Sequence, residues 1–285
     1  MTKYAYHPGN VAHSTAVEVG QSMAPLCATL GIELVPLEGA TSCGAGVMRL
    51  ANKKLQVALN ARTFAMAEAA GLDIITPCAS TAGNLSEDLA MLKADPALLD
   101  STNQVLEKTC GLTFSGDVKV HHLLTVLVED VGLDALAAAV KNPIDFDIAC
   151  YYGPHMQQAG ACGDDDVFDP TYMEQIVGAI GGRAIDWSCR MMSTGAASIF
   201  GEEPTALKQT AAILADAKSE GAQLMLSACN LSHMMLDVYQ LKAGRAAGAR
   251  ASMPVSHFVD VVAFALGHHN DRLAQLRTRC LVIGD

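Results

Sequence analysis

The chain has 285 residues, of which 51% are hydrophobic and 17% charged, a composition that excludes wholesale disorder and can bury a substantial core. A formal net charge of -11 argues against a nucleic-acid partner, because such proteins carry basic surfaces. No apolar run of about 18 residues lacks polar interruptions, and no signal-peptide pattern is visible, so we predict no membrane span and a cytoplasmic location.

Short apolar strands alternate with helical stretches along the first part of the chain. The predicted strands are KYAY at residues 3–6, IELVP at 32–36 and the segment before Cys78. A helical stretch at 56–71 ends at Gly71, where glycine ends a helix without strain. A further extended entry at 118–126 leads into a helix that closes at Gly132.

The same order of elements returns in the second part of the chain. Its predicted strands are DFDIACYY at 145–152, AIDW at 184–187 and the segment before Cys229, and its long helix at 206–221 ends at Gly221. The pattern predicts an α/β fold of two pseudo-symmetric repeats, each a small, mainly parallel sheet flanked by helices. We place the N-terminal repeat at 1–142 and the C-terminal repeat at 143–285.

Two of the nine cysteines in each half recur at matching positions. Cys43 corresponds to Cys189, and Cys78 corresponds to Cys229. These positions, with those near residues 10 and 154, follow predicted strands, and ligands bind at the carboxyl ends of parallel strands. We therefore expect one pocket in each half. The cysteines without a counterpart are interpreted as core or incidental thiols: Cys27, Cys110, Cys150, Cys162 and Cys280.

Six short motifs occupy these strand ends: YAYHPGN, SCGAG, TPCASTAGNL, YYGPH, WSCRMMSTG and SACNLSHMMLD. Together they resemble the cysteine-rich CCG-domain family, which includes the B subunit of heterodisulfide reductase, the related proteins of sulfur oxidisers and the E-type subunit of some succinate dehydrogenases. The resemblance implies a noncubane 4Fe-4S cluster held by five cysteines, which reduces or forms a disulfide. It also implies partner subunits: a flavin subunit, an iron–sulfur subunit and a second chain of the heterodisulfide reductase B type.

Several family ligand positions carry other residues in this chain. In the second half, Arg190 stands where the family has a glycine after its cysteine pair. Two cysteines of each five remain, whereas even an ordinary cluster needs about four ligands. The substituted cluster-binding positions are Asn10, Ser42 and Thr81 in the first half and Pro154, Ser188 and Ser232 in the second half.

One alternative is a remodelled metal site. Cys189, Cys229, His155 and His233 supply two thiols and two imidazoles, a set that suits tetrahedral zinc. The same composition occurs in Rieske-type clusters. In the first half, Cys43 and Cys78 are candidate ligands, joined by His7 or His13.

A second alternative is a pair of dithiols. Cys43 with Cys78, and Cys189 with Cys229, could each cycle to a disulfide if their Cα atoms lie within about 7 Å. Arg190 could lower the pKa of the neighbouring Cys189 thiol, or hold an anionic substrate with its planar guanidinium.

A third alternative is a pocket without chemistry. The remaining cysteines would then be small buried apolar residues, and the substituted polar residues would fill the pockets by hydrogen bonding. Three functions follow: a component like the heterodisulfide reductase B subunit in a thiol/disulfide or sulfur redox complex, a non-catalytic scaffold subunit, or a stand-alone protein that binds zinc or a small thiol. If active, the chain would be an oxidoreductase acting on a sulfur group.

Overall fold

The computed structural model describes residues 1–158, 160–248 and 253–268. Cys280 lies outside the described residues. Of the other cysteines without a counterpart, Cys27, Cys150 and Cys162 are buried, as expected of core thiols, whereas Cys110 is exposed.

The first half contains four strands and seven helices, and the last helical turn before α7 is a π-helix at Val126–Val131. The elements are β1 (Thr2–Tyr6), α1 (Val17–Thr29), β2 (Ile32–Pro36), α2 (Val47–Ala51), α3 (Lys53–Ala69), β3 (Ile74–Thr76), α4 (Ala79–Ala94), α5 (Pro96–Cys110), β4 (Val120–His122), α6 (Leu123–Thr125) and α7 (Leu133–Ala138).

The described part of the second half repeats the alternation, with 3-10 turns at Pro154–Gln157 and Ala196–Ser198. The elements are β5 (Asp147–Tyr151), α8 (Tyr172–Ala179), β6 (Arg183–Ala184), α9 (Glu203–Ser219), β7 (Leu224–Ser227), α10 (Asn230–Leu236), α11 (Gln240–Ala246), β8 (Val255–His257) and α12 (Phe258–Ala265).

Two four-stranded sheets with the same strand order form the two halves. The first sheet runs β2-β1-β3-β4 and the second β6-β5-β7-β8, and all strand pairs are parallel. The predicted α/β class and the two similar halves are therefore confirmed. Consecutive strands of each sheet are joined through helices, because a short hairpin turn cannot connect two parallel strands.

Glycine ends the two long repeated helices as predicted. Gly71 and Gly221 follow α3 and α9 with φ of 66° and 90°, a conformation that glycine adopts without strain. The predicted strand at 184–187 is shorter than expected, because β6 covers only Arg183–Ala184. The chain then turns inward, and the Trp187 indole donates a hydrogen bond to the Cys150 carbonyl at 3.2 Å.

The core is continuous between the halves. Leu26 and Ile75 of the first half lie in one buried cluster with Leu226 and Phe258 of the second, and α1 packs along α12. No helix among the described residues is long and apolar enough to cross a membrane. The packing brings the carboxyl ends of the two sheets toward one another, which positions the candidate site.

Candidate functional site at the junction of the two sheets

The strand ends of the two halves are joined by direct hydrogen bonds. The Ala79 amide, at the start of α4, donates to the Ala228 carbonyl at 2.9 Å. The same carbonyl lies 3.0 Å from Nε2 of His122, and Asn230 Nδ2 donates to the Asn10 carbonyl at 2.9 Å. The loops that were expected to form two separate pockets therefore share one junction.

Asn10 occupies the centre of the first-half site. Its Nδ2 lies 3.0 Å from Ser80 Oγ, 3.3 Å from Thr81 Oγ1 and 3.4 Å from Cys43 Sγ. Its Oδ1 accepts a hydrogen bond from Ser42 Oγ at 3.0 Å. The amide that replaces a family cysteine thus holds three other ligand positions of the first half together.

Buried side-chain amides also hold the backbone of Cys43. Its carbonyl accepts hydrogen bonds from Nδ2 of both Asn60 and Asn84. Asn60 also donates to Asp88, whose carboxylate pairs with Lys53. These buried polar groups are hydrogen-bonded to one another, although Asn60 Oδ1 has no partner among the described residues. A side-chain network, rather than an open pocket, therefore fills the first-half site.

Close backbone packing explains why glycine precedes Asn10. Gly9 has φ of 90°, and a Cβ built there would lie 2.5 Å from Cys78 Cβ and 3.3 Å from Cys78 Sγ. His7 fixes the same turn, since its Nδ1 accepts the Gly9 amide at 3.1 Å and its Nε2 lies 3.0 Å from the Thr41 carbonyl. His7 is thus engaged in backbone contacts, and His13 is exposed.

The second-half site is arranged differently. Pro154 begins a 3-10 turn that packs on α4 of the first half, so this loop leaves its own half. Tyr151 instead reaches toward the second-half site: its hydroxyl contacts Ser232 and donates to the Met192 carbonyl at 2.5 Å. Burial raises the pKa of this phenol, so it acts as a neutral donor.

Cys189 lies apart from the other site cysteines and is partly exposed. Its amide and that of Ser188 donate to Asp216 Oδ2 at 2.8 and 3.1 Å. Burial, followed by the hydrogen bond and charge of Asp216, raises the pKa of the Cys189 thiol to about 11. Cys189 is therefore protonated at neutral pH.

Arg190 does not activate its neighbour. Its guanidinium forms ion pairs with Asp169 and Glu174 and lies over the Tyr152 ring, 5.7 Å from the centroid. The pKa of Cys189 is accordingly raised rather than lowered. The two carboxylates already bind the guanidinium N–H groups that were expected to hold an anionic substrate.

Cys78 and Cys229 contact each other across the junction. A side-chain hydrogen bond links the Cys78 and Cys229 thiols, and both side chains are fully buried. Burial raises the pKa of Cys78, but hydrogen bonds from Cys229, Ser80, the backbone N–H of Asn10 and Thr81 outweigh it and hold this pKa well below the ordinary value. Burial, with the adjacent Cys78, raises the pKa of Cys229.

The histidines of the predicted zinc set have other neighbours. His155 lies near Cys78 and Arg49 of the first half. His233 lies 3.4 Å from Glu18 and 3.9 Å from Asp237. Among the described residues, no group of three or more His, Cys, Asp or Glu side chains is placed to hold a metal ion.

The noncubane 4Fe-4S cluster that the family resemblance implies does not fit the first-half site. The site offers two thiols, those of Cys43 and Cys78, where the family uses five. The Asn10 amide fills the space between Cys43, Ser80 and Thr81 at 3.0–3.4 Å. An amide in such contacts leaves no volume for a cluster, so the chemistry of this site rests on its own side chains.

Several residues of the site were missed by the sequence interpretation, among them Ser80, Tyr151, Asp216 and Asn230. One feature of the sequence, Gly83, indicates where the loop after β5 contacts the first half. Gly83 lies inside α4, where glycine weakens a helix, and a Cβ there would lie 2.0 Å from Gln158 Oε1 and 2.9 Å from the His155 carbonyl. That glycine marks the place where the loop after β5 crosses onto the first half.

The fold and the remaining cysteines define a CCG-type α/β protein, and comparison with known proteins agrees. The profile of the CCG cysteine-rich domain matches residues 4–86. The chain is 30% identical over 267 residues to the 8-methylmenaquinol:fumarate reductase membrane anchor subunit of Wolinella succinogenes, covering 93% of this chain and 92% of that protein.

Two archaeal relatives carry heterodisulfide reductase names. The B subunit of the ferredoxin/F(420)H(2)-dependent CoB-CoM heterodisulfide reductase of Methanosarcina acetivorans is 29% identical, over 86% of this chain and 82% of its own. A protein of Archaeoglobus profundus, named as similar to the heterodisulfide reductase B subunit, is 27% identical, over 96% and 94%. The chain belongs to this family of proteins like the heterodisulfide reductase B subunit.

A solved structure supports the fold. The crystal structure of a hypothetical protein from Helicobacter pylori superposes with a TM-score of 0.79 at 17% identity, covering 98% of this chain. The chain spans about half (51%) of that protein. At this identity the match concerns the fold alone.

Proposed function

We propose that this chain is a redox component of a multi-subunit complex and that its working group is the thiol pair Cys78 and Cys229. The observation that carries the proposal is the contact between these two buried thiols at the junction of the halves. In the reaction, the two thiols form one disulfide and release two electrons and two protons. The acceptor is a second disulfide, which leaves as two thiols.

The chain would then be an oxidoreductase acting on a sulfur group, without intact noncubane clusters. Its partners would be a flavin subunit, an iron–sulfur subunit or a second chain of the heterodisulfide reductase B type. The names of the relatives, as parts of larger enzymes, support such an assembly.

A cytoplasmic setting suits this chemistry. Reducing compartments keep thiols free, and a pair that alternates between dithiol and disulfide must start from the reduced state. The eight described cysteines are all free, which is the form this proposal requires before oxidation.

A scaffold subunit is the second candidate, and one observation favours it. The Asn10 network satisfies the first-half site internally, as expected where packing has replaced chemistry. The two candidates differ at Cys78 and Cys229: a redox component needs both sulfurs, whereas a scaffold needs only their volume.

Free-thiol counting in redox buffers tests the proposal. Full-length protein purified without oxygen is equilibrated with mixtures of reduced and oxidised dithiothreitol, and alkylated thiols are counted by mass spectrometry. We expect a loss of two thiols along a two-electron curve. Cys78→Ser and Cys229→Ser should abolish the transition, while Cys43→Ser should retain it.

Two results would overturn the proposal. A constant thiol count across the whole potential range would leave the scaffold. Iron and acid-labile sulfide at about four per chain, with visible absorption, would show that a cluster forms despite the Asn10 network.

A further inference from the structure

The loop between β1 and α1 covers the side chain of Cys78. Cys78 has no exposed surface, and a Cβ built on Gly9 would lie 2.5 Å from Cys78 Cβ and 3.3 Å from Cys78 Sγ. Gly9 itself is partly exposed, and His13 and Ser14 further along the loop are exposed. At Gly9, therefore, a single layer of backbone separates Cys78 from solvent. Residues 8–15 are called the cover loop below.

The backbone of the cover loop is strained at Val11. Among the residues that the structure describes, Val11 is the one residue other than glycine with a positive φ, 50°. A side chain branched at Cβ crowds the backbone in this conformation, which is a genuine outlier for valine. Its carbonyl accepts hydrogen bonds from the Ser14 and Ala16 amides at 3.0 and 3.1 Å. Strain of this kind persists only where surrounding contacts impose it, and it is typical of switch regions.

A side chain of the second half holds the strained loop in place. Asn230, the first residue of α10 and the neighbour of Cys229 in the chain, reaches across the junction. Its Nδ2 donates to the Asn10 carbonyl at 2.9 Å and to the Pro8 carbonyl at 3.4 Å. The contact therefore ties the cover loop of the first half to the residue that follows the second cysteine of the pair.

Both ends of the cover loop are fixed, whereas its middle belongs to no helix or strand. At one end, His7 is buried and its Nε2 lies 3.0 Å from the Thr41 carbonyl. At the other end, Ala16 is fully buried in the core. Opening of the loop would break the contacts of Asn230 and of the Asn10 side chain, and it would release the strain at residue 11. Both sheets would stay intact, as in other local openings of folded proteins.

We propose that the cover loop is a gate over Cys78, that Asn230 holds this gate closed, and that the strain at Val11 favours its opening. The proposal rests on the redox function proposed above and adds the route by which an acceptor disulfide reaches the buried pair. In the closed state the Gly9 backbone occupies the space beside Cys78 Sγ, so a second disulfide cannot align with that sulfur. In the open state the sulfur is accessible, and lids of this kind commonly control access to reactive groups.

Alkylation of Cys78 measures the population of the open gate. Reduced full-length protein is incubated with iodoacetamide, and peptide-resolved mass spectrometry follows Cys78 and Cys27 separately. Cys27 is fully buried within α1, so its rate reports unfolding of the first half. We expect Cys78 to react at least about tenfold faster than Cys27. Its rate should depend only weakly on urea, because a local opening exposes little surface.

Variants at Val11 and Asn230 should shift the Cys78 rate in opposite directions. Val11→Asn removes the branch at Cβ, and asparagine tolerates a positive φ, so alkylation should slow about tenfold. Val11→Thr keeps the branch and the strain, and it should match wild type. Asn230→Ala removes the donor that holds the loop and should speed alkylation about tenfold. Circular dichroism checks each fold, and the Val11 pair decides alone if Asn230→Ala does not fold.

Three results would overturn the gate. Equal rates and equal urea dependence for Cys78 and Cys27 would mean that Cys78 is reached only when the first half unfolds. An unchanged or faster rate in Val11→Asn would contradict the role of strain. An unchanged or slower rate in folded Asn230→Ala would contradict the role of that side chain. Each comparison between variants follows the same cysteine, so the intrinsic reactivity of the thiol cancels.

Oxidation in dithiothreitol buffers separates the gate from the redox function. If the Cys78–Cys229 disulfide forms while the variants leave alkylation unchanged, the gate is wrong and the redox function stands. If the variants shift alkylation as expected but no disulfide forms, the loop opens as proposed and the redox function fails. If both proposals hold, Val11→Asn should slow disulfide formation by the same factor as alkylation.

Discussion

The two halves share a strand order but differ in the contacts of the residues at the positions that the family resemblance assigns to cluster ligands. In the first half, Asn10 draws Ser42, Cys43 and Thr81 into one buried network. In the second half, Pro154 leads the chain away onto α4, and Cys189 turns to Asp216. The positions that the family resemblance assigns to cluster ligands are therefore drawn together in the first half and dispersed in the second.

Each half contributes one cysteine, Cys78 or Cys229, to the junction between the halves. Cys78 and Cys229 occupy equivalent positions after β3 and β7, and they contact each other rather than the remaining cysteine of their own half. The junction, not either separate pocket, is where the duplicated fold still brings two sulfurs together.

Alanine at equivalent glycines should give the largest difference between the halves. Gly9→Ala places a Cβ 2.5 Å from Cys78 Cβ at φ 90°, so we expect a loss of about 4 kcal/mol in unfolding free energy. Gly153→Ala meets the Tyr151 hydroxyl at 2.8 Å, the end of a side chain, and should lose about 2 kcal/mol.

Urea denaturation measures this series, and Gly31→Ala is its control. Gly31 has φ of 74° with nothing within 4 Å of a built Cβ, so its loss should be about 1 kcal/mol. Equal losses at Gly9 and Gly31 would contradict the close approach of the first-half loop to Cys78.

Acid should weaken the junction through its buried histidines. Burial lowers the pKa of His122 to about 4, against about 6.5 when unfolded. Below pH 6.5 the unfolded chain binds the proton first, so stability falls as the pH drops toward 4. His122 alone accounts for up to about 3 kcal/mol of this loss.

Unfolding free energies between pH 7 and pH 4 test this dependence. His122→Asn keeps a side-chain acceptor for the Leu124 amide, which His122 now caps through Nδ1, and it should flatten the profile. His257→Asn in the second half should do the same, because burial also lowers the pKa of His257. An unchanged dependence of the unfolding free energy on pH in both variants would contradict the burial of these two histidines in their neutral form.

Alanine substitution at Asn10 and at Pro154, which occupy matching positions in the two halves, should also affect stability to different degrees. Asn10→Ala removes the amide that contacts Cys43, Ser80 and Thr81, and leaves buried partners unsatisfied, a loss of about 2–3 kcal/mol. Pro154→Ala leaves no such group unpaired and should change stability by less than about 1 kcal/mol. Thermal unfolding of both variants measures the difference, and the reverse order would contradict the account.

The smallest effect concerns thiol reactivity. Cys189 should react with iodoacetamide more readily than buried Cys43, and its rate should rise about tenfold per pH unit toward its pKa of about 11. Asp216→Asn keeps an acceptor oxygen but removes the charge, so the Cys189 pKa should fall and its rate at pH 8 should increase. Peptide-resolved alkylation follows both cysteines, and an unaltered rate would exclude control by Asp216.

Repeated sequence patterns predicted the fold because each half buries the same apolar periodicity. The strand ends carrying Cys78 and Cys229, and the glycine stops at Gly71 and Gly221, lie where the pattern placed them. The partners of those cysteines could not be predicted, because sequence spacing within one half carries no information about which side chain of the other half faces it.

The charge of its neighbour in the sequence also failed to predict the direction in which the pKa of Cys189 is shifted. Arg190 follows Cys189 in the chain, yet its guanidinium pairs with Asp169 and Glu174. The pKa of Cys189 is raised instead by burial and by Asp216, which lies 27 residues further along the chain. The domain boundary near residue 142 stays a prediction, as do the partner subunits.

Mapping the disulfide formed on oxidation tests the central claim most directly. Reduced full-length protein is oxidised in a dithiothreitol buffer, digested under acid without reductant, and analysed by mass spectrometry. The account predicts one cross-linked peptide pair joining Cys78 to Cys229. Links within one half, Cys43 to Cys78 or Cys189 to Cys229, would contradict it and restore two separate pockets.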